Sequence, residues 1–148
     1  MSIQSAVMRA FQKKWAGGWE KYPQMYWAID LHGVILRSTY TRKEDMSGQE
    51  IPPAAIRVLK FLSDQDNHCL ILFTASMPDY LMSVENWFHN LGIHFKYVNH
   101  NADVKSEGYC NVDQKFYFDV LLDDKAGFEM NSDWDEIERT LKAIGEWK

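Results

Sequence analysis

Apolar residues recur along the chain at two spacings, and each spacing predicts a different element. Ile3, Val7, Phe11 and Trp15 fall four apart, the stripe of an amphipathic helix that Ala16-Gly17-Gly18 should end. Ile56, Leu59 and Leu62 mark a helix over residues 53–65, introduced by Pro52-Pro53. Leu81, Val84, Phe88 and Leu91 mark another that runs to Gly92. Before it, Ser76 and Asp79 have capping-box spacing, and Pro78 suits a first helical turn. A last helix carries Trp134, Ile137, Leu141 and Ile144, with Ser132 and Asp135 placed to cap it. Between the helices lie short apolar runs of strand length at residues 26–30, 69–74, 95–99 and 118–123. The run at 69–74 is nearly continuous, as expected of a strand covered on both faces.

The resulting order is α-β-α-β-α-β-loop-β-α. Strands alternating with helices imply an α/β protein, a three-layer Rossmann-like parallel sheet with helices on both faces. No repeat, low-complexity tract or Gly/Ser linker interrupts the chain. Residues 1–148 therefore read as a single domain, with 1–20 as an N-terminal helical extension. In such folds ligands bind beyond the carboxyl ends of the strands. Asp30, Thr74 and the pair Asp123-Asp124 all stand at such ends. An acid at the tip of a buried strand is costly unless it holds a cation or does chemistry.

Composition narrows the function classes. A length of 148 residues fits one domain with a sizeable core, and a net charge of −5 disfavours a non-specific nucleic-acid binder. Cys69 and Cys110 are the only cysteines and lack C-x-x-C spacing, so a disulfide framework is not expected and Cys69 reads as a buried thiol. No stretch approaches membrane-spanning length, which makes a cytoplasmic protein without a membrane partner the expectation. Six Trp, seven Tyr and eight Phe invite thoughts of ligand stacking, but large aromatics usually supply core area. His68, His89, His94 and His100 show no metal-ligand spacing and read as surface or packing residues. The acidic stretch 129–138 reads as the solvated start of the last helix, favoured by its dipole.

Four motifs in order then resemble one family. Asp30-Leu31-His32-Gly33-Val34 follows an apolar strand; ILFTAS supplies Thr74; Lys115 precedes the last strand; VLLDD supplies Asp123 and Asp124. From about Tyr26 to Phe128 the chain resembles the haloacid dehalogenase-like superfamily, the Asp-nucleophile phosphohydrolases. The resemblance implies a Mg²⁺-dependent phosphatase acting on a phosphorylated substrate through an aspartyl-phosphate at Asp30. Thr74 would bind a phosphoryl oxygen, and Lys115 would balance charge, with Lys105 and Lys125 as alternatives. Asp30, the backbone carbonyl of His32, and Asp123 or Asp124 would hold the metal, a hard ion that takes oxygen ligands.

Two departures qualify what the family implies. His32 stands where the family's phosphatases carry a second aspartate that protonates the leaving group and activates water. Imidazole titrates near neutral pH when unperturbed and can do the same work, worth typically about 10²–10⁴-fold. If it does not, the chain is a catalytically weak phosphate- or nucleotide-binding protein, or an interaction protein. The second departure is room. The connections after Asp30 and after Thr74 are too short for a cap domain, so a lid would come from the loop 99–114 or from a neighbouring copy in a homo-oligomer.

Overall fold

The computed structural model describes residues 2–37, 50–108, 111–112 and 115–148. Four parallel strands form its centre: β1 (Met25–Ile29), β2 (His68–Leu72), β3 (Tyr97–Val98) and β4 (Val120–Leu122), in the spatial order β3-β2-β1-β4. The helices are α1 (Ile3–Lys13), the short α2 (Trp19–Lys21), α3 (Pro53–Asp64), α4 (Pro78–Asn90) and α5 (Asp133–Ala143). The protein is thus α/β, with a parallel sheet flanked by helices. Among the described residues, no helix is long and apolar enough to cross a membrane.

The topology decides what covers each face. The path from β1 through β2 to β3 moves one way across the sheet, so right-handed crossovers put α3 and α4 on one side. Val58 and Leu62 of α3, Val84 and Phe88 of α4, Phe11 of α1 and Ile137 of α5 join Trp27, Ile29, Leu70 and Leu122 in one buried cluster. The return from β3 to β4 crosses the opposite face. There Tyr26, Cys69 and Ile71 pack under Val104, with Tyr22, Phe116 and Tyr117 partly buried against them. The fold class stands with one adjustment: among the described residues, this second layer is the β3–β4 connection instead of a helix.

Side-chain polar groups hold that connection down. Asp103 accepts from Lys96 Nζ at 3.0 Å, from Tyr97 Oη and from Tyr26 Oη, while buried Asn101 donates to the Tyr117 carbonyl at 2.9 Å. At the neighbouring edge Lys14 is buried, 3.2 Å from Asp119 and surrounded by the rings of Trp19, Tyr22, Tyr26 and Tyr117.

Several local expectations shift. The stripe of α1 holds at Val7 and Phe11, but Trp15 is exposed and only leans on Phe11. The chain continues past Ala16 through a widened turn, Gly17 taking φ 113°, into α2. Ser76 does not cap α4. Met77 holds the cap position, and the Ser76 hydroxyl lies 2.9 Å from Thr74 Oγ1 instead. Nor does Ser132 cap α5 through its side chain; Asp133 Oδ2 accepts from the Glu129 amide at 2.8 Å. The acidic first turn of α5 is present as expected, with Asp133, Asp135 and Glu136. The aromatic-core expectation holds for Trp27, Trp134, Tyr26, Phe11 and Phe88, all fully buried, and Cys69 is a buried thiol. Cys110, the connection 38–49 and parts of the loop 99–114 lie outside the described residues.

Candidate active site

The strands stop just short of the residues of interest. β1 pairs with β2 through Ile29–Leu72 and with β4 through Ile29–Leu122, so Asp30 is the first residue past the ladder on the central strand. Its amide still donates to Leu122 O at 2.9 Å, which fixes the backbone while the side chain stands clear. The carboxylate is oriented by the Leu31 N–H, 2.8 Å from Oδ1. Leu31, Val34, Ile35 and Leu36 are fully buried, and the amides of Ile35 and Leu36 both donate to the Leu31 carbonyl. The buried indole of Trp134 also donates to Val34 O at 2.7 Å. The loop after Asp30 is therefore an anchored apolar turn, with only His32 and Gly33 partly exposed.

Asp123 and Asp124 reach Asp30 from the end of β4. The Lys125 amide donates to Asp123 Oδ1 at 2.9 Å and to Asp124 Oδ1 at 3.0 Å, turning both carboxylates inward. One oxygen from each of Asp30, Asp123 and Asp124 lies within 4.8 Å of the others. Gly33 makes the approach feasible: its φ is +84°, and a Cβ there would overlap the Asp124 carboxylate. The sequence motif contained this glycine; its reason is the neighbouring acid.

The electrostatics of this cluster work against a charge on Asp30. Burial, and then the charges of Asp123 and Asp124 together with a hydrogen bond to Asp124, push the Asp30 carboxyl up to about 6 against the opposing Leu31 N–H. Among the described residues, no cation is one of the groups acting on it. Among the described residues, the lysines held in ion pairs lie elsewhere: Lys14 with Asp119, Lys96 with Asp103 and Lys142 with Glu138. Three carboxylates, two half-buried and that of Asp124 exposed, form an all-oxygen donor set that could hold a hard metal ion.

The other expected site residues are placed as follows. Thr74 lies two residues past β2, its amide donating to Asn99 Oδ1 at 2.8 Å and its carbonyl accepting from Asn99 Nδ2 at 2.6 Å. Asn99 itself holds φ 57°, a conformation asparagine tolerates better than most residues. It braces the Thr74 backbone at the strand end and was not singled out from sequence; its only signal is an Asn just after a strand. His32 stacks on Tyr80 of α4, ring centroids 5.8 Å apart at 21°, and its Nδ1 is buried with no hydrogen-bond partner among the described residues. Lys115 is exposed, with Nζ 5.9 Å from the Phe118 ring centroid, and is not joined to the acid cluster. Lys105 and Lys125 are exposed as well.

Comparison with known proteins adds a fold relative. A solved structure described as a conserved protein coded by a locus of Bacteroides thetaiotaomicron resembles this chain with a TM-score of 0.61 and 27% sequence identity. The match covers 82% of this chain and 92% of the other. No protein-family model and no curated protein matches the sequence.

The remaining histidines read as expected. His68 is buried and accepts from Trp27 Nε1 at 3.0 Å, and burial pushes its imidazole down to about 4. His89 and His94 meet on the surface, 3.3 Å between their Nδ1 atoms.

Proposed function

We propose that this chain is a Mg²⁺-dependent phosphohydrolase of the haloacid dehalogenase-like type, with Asp30 as nucleophile. The observation that carries the reading is the trio Asp30, Asp123 and Asp124, gathered at the carboxyl edge of the central strands with no counter-charge among the described residues. A carboxylate oxygen of Asp30 attacks the phosphorus of a phosphate monoester, the ester P–O bond breaks, and an aspartyl-phosphate forms. The departing oxygen takes its proton from His32. The same imidazole then removes a proton from water, which attacks that phosphorus and returns phosphate and free Asp30. Thr74 donates to a phosphoryl oxygen, and Lys115 or Lys125 approaches from the exposed rim. Asp30, Asp123, Asp124 and the His32 carbonyl would hold the metal, which when bound neutralises the phosphate's charge. The test is phosphate release from p-nitrophenyl phosphate with Mg²⁺, which Asp30→Asn and excess chelator should each abolish; full activity under either condition contradicts the assignment.

A second reading, phosphate binding with little turnover, is favoured by the buried and unpartnered Nδ1 of His32. Alkyl esters need a protonated leaving oxygen and nitrophenyl esters hardly do. An active imidazole therefore predicts that His32→Ala slows single-turnover cleavage of an alkyl ester by about 10²-fold, and of the aryl ester far less. A nearly inert wild type that gains strongly on His32→Asp would establish the binding protein instead.

A further inference from the structure

The side chain beside the proposed nucleophile is an aromatic ring that the core does not use. β1 and β2 are in register through Ile29–Leu72, so the next pair is Asp30 and Phe73, and the Phe73 amide donates to Ile29 O at 2.8 Å. Side chains alternate along a strand, and Tyr26, Cys69 and Ile71 share one face of the sheet. Two-residue steps from Tyr26 and from Ile71 put Asp30 and Phe73 on that same face, on adjacent strands about 4.8 Å apart. Phe73 nevertheless stays 37% exposed, although the buried cluster continues directly below it.

Its ring is held in place. Phe116 meets it edge-on, centroids 5.8 Å apart at 68°, and Phe116 in turn meets Phe118 at 5.8 Å and 65°. Lys115 lies over Phe118 at the outer end of this row. An aromatic row fixed from behind, with its last ring open beside the attacking carboxylate, is shaped as a wall. At one inter-strand spacing from Asp30, it would meet the first atoms of a leaving group and not a group held off by a sugar.

We propose that Phe73 selects the substrate of the site described above. It favours phosphate monoesters whose leaving group carries a planar aromatic ring one or two bonds from the ester oxygen. This rests on the phosphohydrolase reading for turnover, but the wall itself can be tested by binding alone. Benzyl and ethyl phosphate have leaving groups of similar basicity and differ in the ring. The ratio of their kcat/KM values should favour benzyl phosphate in the wild type. In Phe73→Ala that ratio should fall by about 10-fold, the scale of an aromatic contact with its buried area. Phe73→Leu keeps apolar bulk and should lose most of the preference as well, whereas Phe73→Tyr should restore it.

An unchanged ratio in Phe73→Ala and Phe73→Leu, or a wild type without preference for benzyl phosphate, overturns the proposal. The non-hydrolysable benzylphosphonate and ethylphosphonate, titrated calorimetrically with Mg²⁺ present, separate this failure from failure of the hydrolase reading. Tighter binding of benzylphosphonate, lost in Phe73→Ala, supports the wall even where neither ester is cleaved. Equal affinities in the wild type overturn it even where both are.

Discussion

Replacing Asp30 by asparagine should stabilise the protein when metal is absent. Asp30 ionises near 6 in the fold against 3.8 for the unperturbed group, because it is buried and faces Asp123 and Asp124. At about 1.36 kcal/mol per pKa unit, ionising it in the native state costs roughly 3 kcal/mol more than in the unfolded chain. The group is only half-buried, and solvent screening trims the figure to about 2 kcal/mol. The sign follows from the raised native pKa. Below 3.8 the carboxyl is protonated in both states and costs nothing; as pH rises through 6 the penalty becomes complete. Asparagine keeps an oxygen for the Leu31 N–H and removes the charge. Urea unfolding in EDTA should show Asp30→Asn more stable by about 2 kcal/mol at pH 7.5, a melting shift of about 4–8 °C, with the gain vanishing near pH 4. Mg²⁺ should reverse the order. At a hundred times its dissociation constant it adds about 2.7 kcal/mol to the wild type and little to the variant. A variant that is no more stable at pH 7.5, or a gain that ignores pH, would show that Asp30 carries no such strain.

Three further outcomes follow from other parts of the structure. Gly33→Ala places a methyl against the Asp124 carboxylate at φ +84°, and should weaken Mg²⁺ binding by at least about 10-fold in calorimetric titration; unchanged affinity would mean that Asp124 is not a ligand. Burial pushes the Lys14 ammonium below its usual range while Asp119 opposes the shift. Lys14→Met should cost about 3 kcal/mol by leaving the Asp119 carboxylate, still hydrogen-bonded by the Tyr26 amide and Tyr117, without a counter-charge, and Lys14→Met with Asp119→Asn should recover part of it in a denaturation series. His68 has a depressed native value of about 4, so its contribution is present above pH 6.5 and is lost as pH falls through 4. His68→Gln, which can still accept from Trp27, should flatten the wild type's stability loss over that window.

Much of the architecture was legible because strand and helix periods are local. The runs at 69–74 and 26–30 announced β2 and β1, and the stripes of α3, α4 and α5 lie where their spacing placed them. The edges blurred. β3 pairs with one neighbour only, through Tyr97 and Val98, so its run of five apolar and polar residues yields a two-residue ladder. Capping by Ser76 failed because the neighbouring Thr74 hydroxyl offered a competing hydrogen bond that spacing alone does not rank. The acid trio was legible because strand ends converge in a parallel sheet. Asn99 bracing Thr74, and Lys14 buried against Asp119, depend on contacts 25 and about 100 residues apart, which no local pattern records. Phe73 looked like one more core aromatic. Only the register beside Asp30 and its residual exposure set it apart.

The phosphoryl-enzyme tests the central claim most directly. Wild-type protein with Mg²⁺ and p-nitrophenyl phosphate, quenched in acid within a single turnover and digested, should yield one peptide carrying a phosphoryl group on Asp30. His32→Ala should accumulate more of it, because the water that discharges it lacks its base. Absence of any phosphorylated peptide while nitrophenol is released, or a phosphoryl group on another residue, would contradict Asp30 as the nucleophile.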